Sequence, residues 1–255
     1  MTIAEDIKSA LEFYRAMGFE RLPIRINPNV SSSRSLAANP SFHSGPVVSA
    51  ASPGEANAPE LRAALPLGIK EAALKALSDE IGDCGRCKLS NKRTHVVFGE
   101  GNPDAQLMFI GEAPGREEDL QARPFVGDAG KLLTRLIEKM GFRREDVYIA
   151  NIVKCRPPMN RDPEEDEIGV CRGFLERQIK IIAPDVIMAL GRISALTLIG
   201  NPNLKISAIR GRMFDYQGIP LMPTFHPAYL IRNPKDKWLT WNDAQKVMER
   251  LGKNG

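Results

Sequence analysis

Four short, continuously apolar runs recur in the later part of the chain, at about 106–112, 147–153, 186–190 and 221–225, and helical periodicity fills the intervals between them. Such runs have no polar face, so each strand must be covered on both sides. Helical patterns at about 128–141, 164–183 and 192–199 supply that cover, with one more before the first strand at about 69–81 and one closing the chain at about 239–252. Strands that alternate with helices in this way predict an α/β fold built on a parallel sheet. The stretch 213–218 predicts a small hairpin before the last strand.

The compact domain is expected over 67–255. Ahead of it, residues 2–18 read as a short amphipathic helix, with Ile7, Leu11, Tyr14 and Met17 at helical spacing and Thr2 with Glu5 as a capping box. Residues 1–26 are therefore assigned to an N-terminal helical segment, suited to docking on the domain or to recruiting a partner. Residues 27–66 are rich in Ser, Ala, Pro, Asn and Gly and read as a flexible linker, because so few apolar groups cannot offset the entropy of ordering. No apolar run approaches the roughly 20 residues of a bilayer span, and Glu5 and Asp6 stand where a secretory signal would be basic. The expectation is a cytoplasmic monomer with no membrane association.

The net charge of +4 over 255 residues permits a basic groove for nucleic acid without requiring one. The charges of residues 1–66 balance, so the excess belongs to the remainder of the chain.

Ligands of open α/β sheets bind at the carboxyl ends of the strands. The first such end is the stretch 111–127, GEAPGREEDLQARPFVG, a loop unusually long for a strand-to-helix link and crowded with glycine, proline and carboxylates. His226 follows the last strand directly, on the same edge, whereas His43 lies in the linker and His95 between strand signals. Asn151 stands inside an otherwise apolar strand, where its amide must find partners in the fold or in a ligand. Neither Gly130-Lys131 nor 111–115 completes a phosphate-binding fingerprint, since Phe125 occupies the position of the first Walker glycine and a third dinucleotide glycine is missing.

Cys84 and Cys87 form a CxxC pair, and Cys155 and Cys171 add two thiolates from elsewhere. In a reducing compartment four cysteines read as a metal site, either zinc or a [4Fe–4S] cluster, and the spacing alone decides for neither. In either case the group would fasten the helix before Cys84 to the loop after the second strand, a structural role.

Taken together, GEAPG at 111–115, RPFVG at 123–127, NIVKCRPP at 151–158 and HPAYLIRNP at 226–234, with the four cysteines, resemble the family-4 uracil-DNA glycosylases over roughly residues 70–250. The resemblance implies a three-layer α/β/α sandwich around a four-stranded parallel sheet. It also implies a [4Fe–4S] cluster on Cys84, Cys87, Cys155 and Cys171, and hydrolysis of the bond between uracil and deoxyribose in single- or double-stranded DNA.

The residues make chemical sense in those roles. A flipped uracil would stack on Phe125, and Asn151 would accept from N3–H and donate to O4, a pattern that cytosine presents in reverse. His226 would hydrogen-bond O2 as negative charge develops on the base. The position of Ala113 carries an aspartate in the best-known uracil glycosylases, which leaves Glu112 as the nearest carboxylate to the attacking water. Glu118 is expected beside uracil C5, where it would exclude a methyl group. Tyr229 and Leu230 are expected to wedge into the base stack and Arg232 to hold a phosphate, with Arg123, Lys154 and Arg156 extending the cationic surface. In that setting the partner expected for the N-terminal helical segment is a replication or repair protein. The rival is a protein on the same fold that binds or captures uracil-DNA without turnover. A branch that crosslinks to DNA carries a basic insertion near the first motif, where this sequence has an acidic run.

Overall fold

The computed structural model describes residues 66–253. The expected N-terminal helix and nearly all of the expected linker, with His43, lie outside the described residues.

Six strands make one mixed sheet: β1 Glu100–Gly101, β2 Leu107–Gly111, β3 Tyr148–Asn151, β4 Val186–Leu190, β5 Phe214–Tyr216 and β6 Ile219–Thr224, in the order β1-β3-β2-β4-β6-β5. The inner four, β3-β2-β4-β6, are parallel, as the apolar runs predict. Each edge carries a short antiparallel addition, which corrects the expected count of four. The β5–β6 hairpin was legible at 213–218. Two-residue β1 was not, because a pair that includes a glycine has neither length nor side-chain pattern to register.

The helices are α1 Leu67–Ile81, α2 Arg116–Gln121, α3 Asp128–Lys139, α4 Glu165–Ile182, α5 Arg192–Ile199, α6 Ile206–Ile209, α7 Pro227–Arg232 and α8 Lys237–Arg250. Alternation along each strand divides the core between the two faces of the sheet. Met108, Ile110, Ala150, Ile187 and Ala189 pack with α1, α4 and α5 through Leu77, Leu175, Ile179 and Ala195. Leu107, Phe109, Ile149, Met188 and Met222 pack with α3 and α8 through Leu133, Ile137, Ala244 and Val247. The result is the expected three-layer sandwich. No described helix is long and apolar enough to cross a membrane.

The register sets the site. Gly111 pairs with Asn151, Ile110 with Ala189 and Leu190 with Thr224, so the parallel strands end level with one another. Glu112, Asn151, Arg192 and His226 therefore leave the sheet along one carboxyl edge. Beneath that edge Thr224 Oγ1 donates to Asp243 Oδ2 at 2.7 Å, and Arg210 pairs with the same carboxylate, tying α8 to the end of β6.

The stretch 111–127 is not all loop. Glu117, Glu118 and Asp119 occupy the first turn of α2, where the positive end of the helix favours carboxylates. Only Glu117 is solvated: Asp119 is buried and accepts the Thr94 and His95 N–H groups at 2.8 and 3.2 Å.

Candidate active site

A cavity of ≈ 410 Å³ opens at the carboxyl edge, lined by Glu112, Ala113, Glu118, Phe125, Asn151, Tyr229, Arg232 and His226, with Arg161 and Asp162 from the loop after β3. The first loop, the end of β3 and α7 thus converge as expected.

Asn151 is 1% exposed, and its Oδ1 has no hydrogen-bond partner. An unpaired buried carbonyl costs about 1–3 kcal/mol unless a ligand completes it. Phe125 stands beside it at a left-handed φ of 51°. That turn is braced on three sides. Glu118 Oε1 accepts the N–H groups of Val126 and Gly127 at 2.8 and 2.9 Å, and Arg144 donates to the Pro124 carbonyl at 2.6 Å. Gly130 packs so closely on the Phe125 carbonyl that a Cβ there would lie 1.9 Å from its oxygen. The Phe125 and His226 ring centroids are 5.6 Å apart, inclined at 33°.

His226 caps α7: its Nδ1 accepts the Ala228 N–H at 3.1 Å. An accepting Nδ1 leaves the ring proton on Nε2. Burial, reinforced by Arg232 and opposed by Glu118, lowers its pKa to about 4. The imidazole is therefore neutral at physiological pH, with one N–H donor free for a ligand.

Glu112 moves the other way. Burial, reinforced by the charge of Asp162 and opposed by Arg192, raises its pKa to about 7. Asp162 and Arg192 are themselves paired at 2.5 Å. Sequence reasoning missed Arg161, Asp162 and Arg192 as members of the site. Arg192 was signalled only by its position just after β4, and Arg161 and Asp162, well beyond the end of β3, carried no signal. Ala113 lines the cavity with no group able to take a proton.

The residues expected on DNA divide. Arg232 reaches the cavity and makes no salt bridge among the described residues. Tyr229 also reaches it, but its hydroxyl donates to Asp236 at 2.6 Å and its ring lies 4.7 Å from that of Phe225. Leu230 is turned inward, 4% exposed, on an apolar cleft of ≈ 170 Å³ with Leu133, Phe225 and Trp241. In this arrangement it is part of the packing and is not presented to solvent as a wedge would be, because it lies on the face of α7 turned toward α3. Lys154 does not extend the cationic surface. It is 1% exposed and donates to the Asn151 carbonyl at 2.9 Å and to Gln178 Oε1 at 2.5 Å. Arg123 and Arg156 are surface residues engaged with Glu100 and Asn160.

The four cysteines, none in a disulfide, surround one small space together with Ile81, Val96, Lys154 and Phe174. Arg86 donates to Cys84 Sγ and the Lys154 N–H to Cys171 Sγ, each at 3.3 Å. Burial pushes the Cys155 thiol up to about 12 and raises that of Cys171. The donor set, four sulfurs with N–H groups and cations directed at them, fits an anionic thiolate-bound group. Among the described residues no three His, Cys, Asp or Glu are drawn together tightly enough to close on a single metal ion.

Residues 98–247 match the model of the uracil DNA glycosylase superfamily. The chain is 49% identical over 186 residues to a type-4 uracil-DNA glycosylase of Saccharolobus solfataricus, covering 70% of this chain and 86% of the relative. It is 44% identical over 189 residues to a type-4 uracil-DNA glycosylase of Thermotoga maritima, covering 73% and 98%. The chain belongs to the uracil DNA glycosylase superfamily. Within the superfamily it is less similar to a type-5 uracil-DNA glycosylase of Thermus thermophilus, 32% identical over 150 residues, covering 51% of this chain and 68% of the relative. The superfamily match spans every strand-end residue of the cavity and leaves out Cys84 and Cys87, which the two type-4 alignments are long enough to include.

Proposed function

We infer that the chain is a DNA-repair glycosylase that flips uracil out of DNA and hydrolyses its N-glycosidic bond, leaving an abasic site. The observation that carries this reading is the buried, unpaired Oδ1 of Asn151, set in one cavity with the Phe125 ring and the free donor of His226. Asn151 Oδ1 accepts from uracil N3–H and its NH2 donates to O4. A cytosine would oppose donor to donor and acceptor to acceptor, leaving buried groups unpaired.

As the bond from N1 to C1′ breaks, its electron pair passes to the base, and the Nε2–H of neutral His226 donates to O2. A donor aimed at developing charge in this way lowers the barrier by about 3–4 kcal/mol. Water attacks C1′ and passes a proton to Glu112, whose pKa near neutrality suits a general base. Glu118 keeps Phe125 in place under the ring, and Arg232 takes a flanking phosphate. The chain acts as a monomer.

Cys84, Cys87, Cys155 and Cys171 would hold a [4Fe–4S] cluster, which when bound supplies a structural clasp between α1, the end of β3 and α4. None of the four is in a disulfide, which suits a reducing compartment and supports a cytoplasmic location. The test is incubation with a uracil-containing oligonucleotide followed by alkali. Alkali-dependent scission at the uracil is expected, and tight retention without scission would instead make the protein a binder that does not turn over.

A further inference from the structure

Met159 has no part in holding uracil, and it is 95% exposed. It and Asn160 both adopt a φ of 55°, a left-handed conformation that residues bearing a Cβ rarely take, still less in succession. The turn is nevertheless stiffly built. Pro157 and Pro158 precede it, the Asn160 N–H donates to the Pro157 carbonyl at 3.1 Å, and Arg156 Nε donates to Asn160 Oδ1 at 2.8 Å. Arg161 anchors its far end to the buried Glu167 carboxylate by two bonds of 2.9 and 2.7 Å. A lone exposed apolar residue is ordinary. One raised on a strained and braced turn has its cost offset by nothing within the fold.

The turn stands at the mouth of the cavity, since Pro157 and Asn160 line its wall. It leaves the sheet after β3, whereas α7 follows β6, and β2 and β4 lie between them. Three strand spacings put the two flanks about 14 Å apart. On the α7 flank Leu230 faces inward, and the exposed apolar residue is Ile231, at 45%.

We propose that Met159 inserts into the base stack of duplex DNA and fills the space left by the extruded uracil, entering from the β3 flank of the cavity. The unbranched, polarizable thioether suits a gap of irregular shape, and apolar wedges of this kind offset the cost of unstacking. The proposal rests on the reading that the cavity takes a flipped uracil.

The test compares kcat/KM for uracil release from a U·A duplex, a U·G duplex and a single strand. Met159→Ala is expected to lose about tenfold on U·A, less on the weaker U·G pair, and almost nothing on the single strand, where no stack has to be opened. Met159→Leu restores most of the loss. A 2-aminopurine beside the uracil should brighten less with the alanine variant than with the parent protein. Equal loss on duplex and single strand, no loss on either, or a duplex-specific loss that follows Ile231→Ala instead would each overturn the assignment. A parent protein that released no uracil from any of the three substrates would overturn the underlying reading, a result distinct from all of these.

Discussion

Gly111 faces Asn151 across the β2–β3 ladder, and a Cβ on Gly111 would stand 2.5 Å from Asn151 Oδ1 and 2.5 Å from Phe125 Cζ. Two groups assigned to grip the base thus occupy the space that any other residue at 111 would need. Gly111→Ala is expected to displace both while the sheet persists, and displacements near 1 Å at a reacting centre cost about 100-fold in rate. Single-turnover uracil release would measure the loss, with the melting temperature as the control for folding.

His226 should stay neutral well below the usual histidine range. Its folded-state pKa, lowered to about 4, lies below the unfolded value of 6.5. The stability that comes from its neutral form is therefore complete above pH 6.5 and is lost as pH falls toward 4. An NMR titration of the imidazole resonances checks the value directly. His226→Ala should lower kcat by about 100- to 1,000-fold.

Glu112 predicts the shape of the pH profile. A base must be ionised, so activity should climb through the raised pKa of about 7 and level off above it. His226, already neutral there, adds no second inflection between pH 5 and 9. Glu112→Gln should remove the climb and leave a low, flat profile, whereas a climb that persisted in this variant would assign it to another group.

Glu118 tests whether the acidic run gauges the base or braces the loop. Its Oε1 is committed to Val126 and Gly127, so Glu118→Ala removes both bonds and should lower stability by about 1–3 kcal/mol in urea unfolding. Phe125 then loses its clamp and uracil release slows. Thymine should still be refused, and thymine release by this variant would restore the gauging role expected from the sequence.

The cysteine site predicts colour. Protein prepared with iron and sulfide should be brown and bleach on reduction, and Cys171→Ser should lose that absorption together with several degrees of melting temperature.

Much of this architecture was legible because the inner strands are buried on both faces and so read as unbroken apolar runs. Asn151 and His226 stood out for a related reason, one a polar interruption of such a run and the other placed at its end. Glu118 and Asp119 looked alike in sequence, yet one clamps a turn and the other is buried against Thr94 and His95. That distinction depends on where α2 starts and was not visible beforehand. Leu230 and Lys154 were misplaced because side-chain direction on a short helix and at a strand end is set by neighbours distant in sequence. The loop at 156–162 carried no periodic signal, so Arg161, Asp162 and Met159 became visible only when folding brought that loop to the rim.

The close packing at Gly111 and Gly130 reaches back to the gene. Every glycine codon begins with two guanines, and any missense change at either base introduces a side chain. The opposite strand carries two cytosines at each of these codons, and their deamination, copied once, replaces glycine with serine, arginine, aspartate or glutamate. The codons that shape this pocket are thus open to the same lesion that the pocket is built to remove, and an unrepaired uracil there would disable the means of repairing the next.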